Sequence, residues 1–232
     1  MLKRSIVFVV AVFFGGVLNA QTSPAPLPPN YTTILDNPDL LVMRVHYGPH
    51  EFVPMHDHTA YPTIYVYLND SGEVQIIHDG EGPGTLVRPP THTGAFRIAP
   101  GAKERHSVRN LGDAPSDFLR IELKRIPASD LKRVFRGEAP PQPFVPGTKN
   151  EFHDDALQVD RIQCGTDRAC LLPAIPQRSL LVALTPMSFF EPKGVKTPIQ
   201  PGEVMLLPAG QPGQTLTSPG ARCLRISLLY PE

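Results

Sequence analysis

Short hydrophobic and polar alternations along most of the chain are typical of β-strands. In the run Thr63-Ile64-Tyr65-Val66-Tyr67-Leu68, polar and aromatic residues would lie on one face of a strand and aliphatic residues on the other. Such a strand separates two environments, because a shift by one residue would exchange its faces. Similar runs predict strands at Thr32 to Leu35, Leu40 to Tyr47, Glu51 to His58, Glu73 to His78, Phe96 to Ala99, Arg105 to Arg109, Asp117 to Lys124, Ala156 to Gln163, Ser179 to Leu184, Glu203 to Leu207 and Arg222 to Leu229.

Proline and glycine separate these runs and argue against long helices. The sequence contains 28 prolines and 18 glycines, and Gly80 to Pro90 is predicted to be a loop. One short helix is predicted at Ser129 to Gly137, because Ser129 can cap its first turn and Gly137 can end it. The predicted fold class is all-β.

Part of the pattern occurs twice. Gly94-x5-Pro100 in the first half recurs as Gly202-x5-Pro208 in the second, and a Pro-rich segment at residues 139–150 lies between the halves. Prolines stiffen such a connector. We therefore predict two tandem lobes, at residues 31–138 and 151–232, joined by a linker at residues 139–150.

The N-terminus is predicted to be a secretory signal peptide at residues 1–20. Lys3 and Arg4 precede an apolar run from Ile6 to Leu18, and Asn19-Ala20-Gln21 has the small residue of a cleavage site. The alternative is a membrane anchor, but a spanning helix needs about 20 apolar residues and this run is shorter. Residues 21–30 are predicted to be disordered. The mature chain is predicted to be periplasmic or secreted, without a membrane contact.

The balance of charges argues against a nucleic-acid partner. Basic and acidic residues balance at 22 each, so no positive field attracts nucleic acid. The hydrophobic share of 41% is sufficient for a packed core.

Three cysteines permit one disulfide. In an oxidising compartment, Cys164 and Cys170 would close the tip of a hairpin, and the alternative is two reduced thiols. Cys223 lies in an apolar strand, where a free cysteine behaves as a small hydrophobe. The sequence has no CxxC pair, which argues against a zinc site built on cysteines.

Two histidines one residue apart form the strongest candidate site. Along an extended strand, side chains at i and i+2 leave the same face about 6.6 Å apart. His56 and His58 can therefore bind one metal, while Asp57 points away.

These residues resemble the cupin superfamily, whose motifs are G-x5-H-x-H-x(3,4)-E-x6-G and G-x5-P-x-G-x2-H-x3-N. The matching positions of the first half are Gly48, His56, His58, Gly94, Pro100, His106 and Asn110. The spacings depart from the motifs by two residues before His56 and one before His106. The resemblance covers about residues 40 to 125 well and the second half weakly. It implies double-stranded β-helix barrels, also called jelly rolls, in two tandem lobes.

The resemblance also implies a metal site. Thr63, a poor metal ligand, stands where the superfamily has its glutamate, so the implied ligands are His56, His58 and His106. Three neutral imidazoles leave the metal its full charge and an open coordination position. The implied cofactor is one divalent ion, with iron, zinc, manganese, nickel and copper not distinguished.

The second lobe is predicted to be degenerate and to bind no metal. Ile175 and Gln177 stand at the first-motif histidine positions, and Gly213 stands where the second motif has its histidine.

Several residues near the predicted ligands have two interpretations. Thr63, Tyr65 and Tyr67 are predicted to line a pocket, but the tyrosines fit aromatic core packing equally well. Glu51 and Glu104 could serve as general bases, although solvated loop carboxylates are favoured. Asn110 is predicted to hydrogen-bond a turn. The remaining histidines of the first half are predicted to be surface or loop residues, with His92 nearest the cavity: His46, His50, His78 and His92.

Two functions fit this sequence. The first is an exported, metal-dependent oxygenase or isomerase acting on a small molecule, and the alternative is a non-catalytic protein that binds a small molecule or metal. A purely structural metal is a third interpretation. A small molecule is the expected partner, and the exposed edges of a barrel would also permit a homodimer.

Overall fold

The computed structural model describes residues 26–80, 83–131, 133–139, 144–167, 169–190, 196–210, 214–216 and 220–230. The predicted signal peptide lies outside these residues. All regular secondary structure in the described part is β-strand, and all strand pairs are antiparallel. The all-β prediction is thus confirmed. None of the described residues belongs to a helix long and apolar enough to cross a membrane.

The first half of the chain forms two sheets. The described residues of this half form ten strands, β1 (Tyr31–Asp36), β2 (Leu40–Tyr47), β3 (Phe52–His58), β4 (Thr63–Tyr67), β5 (Val74–His78), β6 (Thr85–Arg88), β7 (Phe96–Ala99), β8 (Glu104–Asn110), β9 (Ser116–Leu123) and β10 (Phe135–Gly137). The larger sheet has the order β1-β2-β9-β4-β7-β10 and the smaller one β3-β8-β5-β6. Neighbours in each sheet are mostly distant in sequence, which brings residues from separate motifs together.

The second half repeats this strand order. In the part that the structure describes, its nine strands are β11 (Gly147–His153), β12 (Leu157–Gln163), β13 (Cys170–Leu172), β14 (Ser179–Ala183), β15 (Met187–Phe190), β16 (Lys196–Ile199), β17 (Val204–Leu207), β18 (Gln214–Leu216) and β19 (Arg222–Leu228). The sheet β11-β12-β19-β14-β17 corresponds strand for strand to β1-β2-β9-β4-β7, and β13-β18-β15-β16 corresponds to β3-β8-β5-β6. Gly94 and Gly202, which begin the sequence repeat, precede the equivalent strands β7 and β17.

The largest hydrophobic cluster joins the two halves. It contains Ile64 and Val66 of β4 and residues of β2, β7 and β9, together with Leu180, Val182 and Leu224 of the second half. The opposite face of β4 carries Tyr65 and Tyr67, which belong to a different, aromatic-rich surface. The alternation of β4 therefore separates an interior shared by the halves from the inside of the first barrel.

Two secondary-structure predictions are wrong. Phe135–Gly137 forms the edge strand β10 on β7 rather than the end of a helix, with Arg136 opposite Arg97. A short helix is marginal in water, and the free edge of β7 offers hydrogen-bond partners to a strand. Within the predicted Gly80 to Pro90 loop, Thr85–Arg88 forms β6 on β5.

Two predicted boundaries also change. The linker predicted at residues 139–150 ends earlier, because β11 begins at Gly147. Disorder predicted at residues 21–30 does not extend to Pro28 and Asn30. The Pro28 carbonyl accepts a hydrogen bond from the Tyr31 amide, and the Asn30 carbonyl accepts one from the His46 amide. These bonds attach the end of the segment to β2.

Cys164 and Cys170 are bridged, with their Cα atoms 5.4 Å apart. The predicted hairpin is absent at this bridge, because Cys164 follows β12 and Cys170 begins β13, which belong to different sheets. The bridge therefore connects the two sheets of the second half. Cys223 is free and fully buried.

Candidate metal centre

Three histidine side chains converge inside the first barrel. His56 and His58 lie on one face of β3, and His106 of β8 pairs directly with His56. The ring centroids are 4.8 Å apart for His56 and His58, 4.8 Å for His56 and His106, and 5.0 Å for His58 and His106. One nitrogen of each ring lies within 4.8 Å of the other two. The pairing of β3 with β8 shifts its register between Val53 and His56. Such irregularities are common beside functional sites, where they change the direction of side chains.

The hydrogen bonds of these rings leave nitrogens for a ligand. His56 Nδ1 donates to the Pro54 carbonyl at 2.7 Å, so Nε2 accepts from the Tyr31 hydroxyl at 2.9 Å. His58 Nε2 and His106 Nδ1 are buried and have no hydrogen-bond partner. A buried polar atom without a partner costs about 1 to 3 kcal/mol. A metal ion is a chemically suitable partner for neutral imidazole, so the residues present fit a metal.

Burial keeps the three imidazoles in the form that binds metals. It lowers the pKa of His58 far below the usual range, and the positive charge of Arg120 lowers that pKa further. Burial and the neighbouring His56 lower the pKa of His106 to about 3. Burial also lowers the pKa of His56, although the bond to Pro54 opposes the shift. All three rings are therefore neutral at pH 7.

We expect the metal-free protein to lose stability as the pH falls from about 6.5 towards 3. Below pH 6.5 the histidines of the unfolded chain bind protons, whereas buried His106 with its pKa near 3 does not. The unfolded state then binds more protons, so the free energy of unfolding decreases by up to about 1.4 kcal/mol per pH unit and histidine. Urea unfolding at several pH values measures the slope.

His106→Gln should make this slope shallower, because it removes one of the groups responsible. An unchanged slope in that variant would contradict the assignment. His50→Gln is the matched control, since His50 is exposed and pairs with the fully exposed Asp113.

A cavity of about 640 Å³ opens beside the histidines. Tyr65 and Tyr67 line it, as one of the two interpretations of these residues predicts. Thr63 is not among its lining residues, because its side chain is buried and its hydroxyl donates to the Tyr61 carbonyl at 3.0 Å. His106 also lines the cavity, which gives a bound molecule access to the histidine cluster. The cavity is also lined by five charged residues and one aromatic residue: Arg88, Arg97, Arg120, Lys103, Glu104 and Phe118.

Arg120 and Glu122 of β9 form a buried ion pair, and Arg120 lines the cavity. Arg120 is 3% exposed and Glu122 is 1% exposed, and Arg120 Nε donates to Glu122 Oε1 at 3.0 Å. The guanidinium also donates to the Tyr65 hydroxyl at 2.8 Å and lies 3.4 Å from Glu104 Oε2. Thr59 donates to the second oxygen of Glu122 at 2.7 Å. This network places a permanent positive charge close to the histidines.

Sequence reasoning missed two residues of the site. His78, predicted to be a surface or loop residue, ends β5 opposite His106, with ring centroids 5.5 Å apart. Glu104, favoured as a solvated loop carboxylate, begins β8 opposite His58 and is half-buried at the cavity. His78, Glu104 and His106 form a second group of potential metal ligands within 4.8 Å of one another. The available signal was that His78 ends one predicted strand and that Glu104 directly precedes another.

Tyr31 and Tyr47 were also missed. The Tyr31 ring lies 5.1 Å from the His56 ring and 5.2 Å from the His58 ring, and its hydroxyl is 2.7 Å from that of Tyr47. Burial raises the pKa of both phenols above the usual range. Nothing in the local sequence separates them from ordinary strand tyrosines.

The other candidates lie outside the centre. His46 and His50 are exposed and pair with Asp117 and Asp113, as expected for surface residues. His92 is exposed and borders a separate cavity of about 440 Å³ rather than the one at the histidines. Glu51 stabilises a turn by accepting a hydrogen bond from the Gly48 amide.

Asn110 has the predicted structural role. It is fully buried, and its side-chain amide donates to the carbonyls of Gly48 and Ala114 at 2.8 and 2.9 Å. Its side-chain oxygen accepts from the Gly112 amide. These bonds fix the turn between β8 and β9.

Apolar side chains fill much of the inside of the second half, together with Arg225, which is buried opposite Leu181 and paired with Asp160 at 2.9 Å. Leu181 and Cys223 lie on the strand faces equivalent to those that line the cavity of the first half, and they belong to a buried hydrophobic cluster with Phe189. Ile175 and Gln177 lie in the connection between β13 and β14, and Gly213 lies outside the described residues. Both groups of potential metal ligands found in the described part of the chain belong to the first half.

Comparison with known proteins identifies the fold. No protein-family model matches the chain, and no curated protein matches it in sequence. Among solved structures, AerE from Microcystis aeruginosa is 13% identical, with a TM-score of 0.62 over 90% of this chain and 97% of its own.

Two further structures are similar. A Cupin 2 conserved barrel domain protein from Leptotrichia buccalis is 15% identical, with a TM-score of 0.53 over 89% of this chain and 91% of its own. The bacterial pirin YhhW of Escherichia coli, solved in complex with nickel(II), is 15% identical, with a TM-score of 0.56 over 85% of this chain and 90% of its own. At these identities the likeness concerns the fold, and the chain therefore has the cupin fold.

Proposed function

We propose that the protein binds one divalent metal ion through His56, His58 and His106 and uses it to act on a small molecule in the adjacent cavity. The observation that carries this proposal is the pair of buried, unpartnered nitrogens, His58 Nε2 and His106 Nδ1, in a cluster of three neutral imidazoles. Pirin YhhW, which shares the fold, was solved with nickel(II). That complex supports a metal role for the fold.

The protein groups around the site suit chemistry at an oxygen atom. A metal with three protein ligands would polarise a substrate oxygen at its open position. His106 connects the cluster to the cavity, and half-buried Glu104, with a carboxylate oxygen within 4.8 Å of a His106 nitrogen, could accept a proton from a bound molecule. Arg120 would stabilise negative charge developing beside Tyr65. Oxidation and isomerisation of a small oxygen-bearing molecule both fit these groups.

Metal loading tests the proposal. Protein stripped with a chelator and then supplied with Fe(II), Mn(II), Ni(II), Cu(II) or Zn(II) in turn should retain about one ion per chain in at least one case, because three ligands converge on one point. Elemental analysis after gel filtration gives the stoichiometry. Retention of no ion would refute the proposal.

A pair of variants makes this test specific. His106→Ala should retain less than about a tenth of an ion, since it removes one of three ligands. His46→Ala is the control and should behave as wild type, because His46 is exposed and bonded only to Asp117 among the described side chains. Equal metal content in the two variants would contradict the ligand assignment.

Turnover separates an enzyme from a binding protein. An enzyme of this class should consume dioxygen or convert a substrate only in the metal-loaded form, in a screen of small oxygen-bearing molecules. A non-catalytic protein would instead retain a small molecule without converting it. The cavity beside His106, which could hold a substrate next to a bound metal, favours the enzyme.

We further propose that the chain is exported and consists of two tandem cupin lobes, of which only the first binds metal. The basic and apolar N-terminal segment and the Cys164–Cys170 bridge support export. The repeated strand order supports tandem lobes. Cell fractionation with N-terminal sequencing of the mature protein tests export, and recovery of the uncleaved chain in the cytoplasm would contradict it.

A further inference from the structure

Two arginines of the cavity have no carboxylate partner. Arg97 of β7 and Arg88 of β6 both line the cavity and form no ion pair with any described residue. Arg97 Nε is buried and has no hydrogen-bond partner. Arg88 donates to the hydroxyls of Ser116 and Ser71 at 3.1 and 3.4 Å. A buried guanidinium nitrogen without an acceptor, beside a second guanidinium bonded only to neutral oxygens, makes this part of the cavity suitable for an anion.

The acidic residues of the cavity are already matched by other cations. Asp57 and Asp79 both accept from Arg105, at 2.9 and 3.1 Å. Glu104 lies 3.4 Å from Arg120. None of these three carboxylates forms an ion pair with Arg88 or Arg97.

Aromatic rings hold the two guanidinium groups in place. The guanidinium carbon of Arg97 lies 5.2 Å from the Tyr65 ring centroid, and that of Arg88 lies 5.2 Å from the Tyr67 ring centroid. Burial lowers the pKa of Arg88, and the charge of Arg97 lowers it further. A bound anion would favour the charged form of both guanidinium groups.

We propose that Arg88 and Arg97 bind the carboxylate of a small organic acid whose apolar body lies against Tyr65, Tyr67 and Phe118. A carboxylate suits this pair, because its two oxygens match two guanidinium groups, one of which already bonds two serines through its Nη2 group. The cavity of about 640 Å³ has the size of a small-molecule site. Binding of the acid does not require the proposed function. The proposal rests on that function only where it takes the bound acid to be the substrate of the metal site.

The test measures binding in chelator-stripped protein, so that a carboxylate cannot bind a metal instead. The probes are benzoate, phenylacetate and cinnamate, each compared with its uncharged amide, and chemical shifts in two-dimensional NMR give the dissociation constants. At least one acid should bind about tenfold or more tightly than its amide, because hydrogen bonds to charged groups are the stronger kind. Binding of none of the acids, or equal binding of acid and amide, would overturn the proposal. So would tighter binding of phenyl phosphate than of every acid.

Variants separate a direct contact from a general charge effect. Arg97→Gln should lose about tenfold or more in affinity for the acid and keep its affinity for the amide. Lys103→Gln is the matched control, since Lys103 is an exposed residue of the same cavity and the variant removes the same charge. It should change the affinity less than about twofold, as expected for a solvent-screened charge.

A third variant guards against misfolding. Arg97→Lys keeps the charge and should bind the acid more tightly than Arg97→Gln does. Equal effects of Arg97→Gln and Lys103→Gln would overturn the inference. If metal loading fails but acid binding still depends on Arg97, the proposed function is wrong and the inference stands. If acid binding requires metal and ignores Arg97, the inference is wrong.

Discussion

Replacing His58 with alanine is expected to weaken metal binding by more than about 100-fold, whereas replacing His78 should have little effect. Loss of a mere hydrogen-bond partner of a ligand typically costs about 10- to 100-fold in affinity, so loss of a ligand should cost more. The comparison matters because His106 belongs to two potential ligand groups, one with His56 and His58 and one with His78 and Glu104. Competition with a chelator of known affinity measures both variants.

Burial and chemistry favour the first group. His56, His58 and His106 are each 6% exposed and offer two unpartnered buried nitrogens. His78 and Glu104 are only half-buried, and Glu104 already lies beside Arg120. If His78→Ala releases the metal and His58→Ala retains it, the ligand set is His78, Glu104 and His106.

Replacing Glu122 with alanine is expected to destabilise the protein by about 3 to 5 kcal/mol, because it leaves the buried charge of Arg120 without its closest partner. The remaining carboxylate near Arg120, that of Glu104, is half-exposed and 3.4 Å away. Chemical denaturation of the metal-free protein at pH 7 measures the loss and avoids a contribution from metal binding.

Two further variants test whether the unpaired charge of Arg120 causes the loss of stability in Glu122→Ala. Arg105→Ala is the control, since it breaks two ion pairs of an arginine with a half-exposed side chain and should cost no more than about 1 kcal/mol. The double variant Arg120→Met with Glu122→Leu should recover much of the stability, because it removes both charges together. A double variant as unstable as Glu122→Ala would show that the loss comes from packing rather than from an unpaired charge.

The parts of the site that could be predicted depend on local patterns. His56 and His58 share a strand face because side chains alternate with a period of two. The motif resemblance added His106, which the pairing of β3 with β8 brings opposite His56. The alternation along β4 likewise predicted two different environments, and both are present in the structure.

The remaining residues of the site could not be predicted, because their positions depend on which strands become neighbours in the sheets. Arg97, Tyr65 and Arg120 lie in one row across β7, β4 and β9, and these strands are far apart in sequence. No local pattern distinguishes the arginines from surface arginines of ordinary strands. The erroneous helix at Ser129 to Gly137 has the same origin, because the edge of β7 determines the conformation of Phe135–Gly137.

The hydrophobic cluster that the two halves share should keep the histidine site folded even in a dilute solution of the protein. A single barrel with an exposed aliphatic wall would have to find another molecule to cover it, and its integrity would then vary with dilution. Here Leu180, Val182 and Leu224 provide that cover from the same polypeptide. The second half thus makes the architecture around the histidines independent of encounters between molecules.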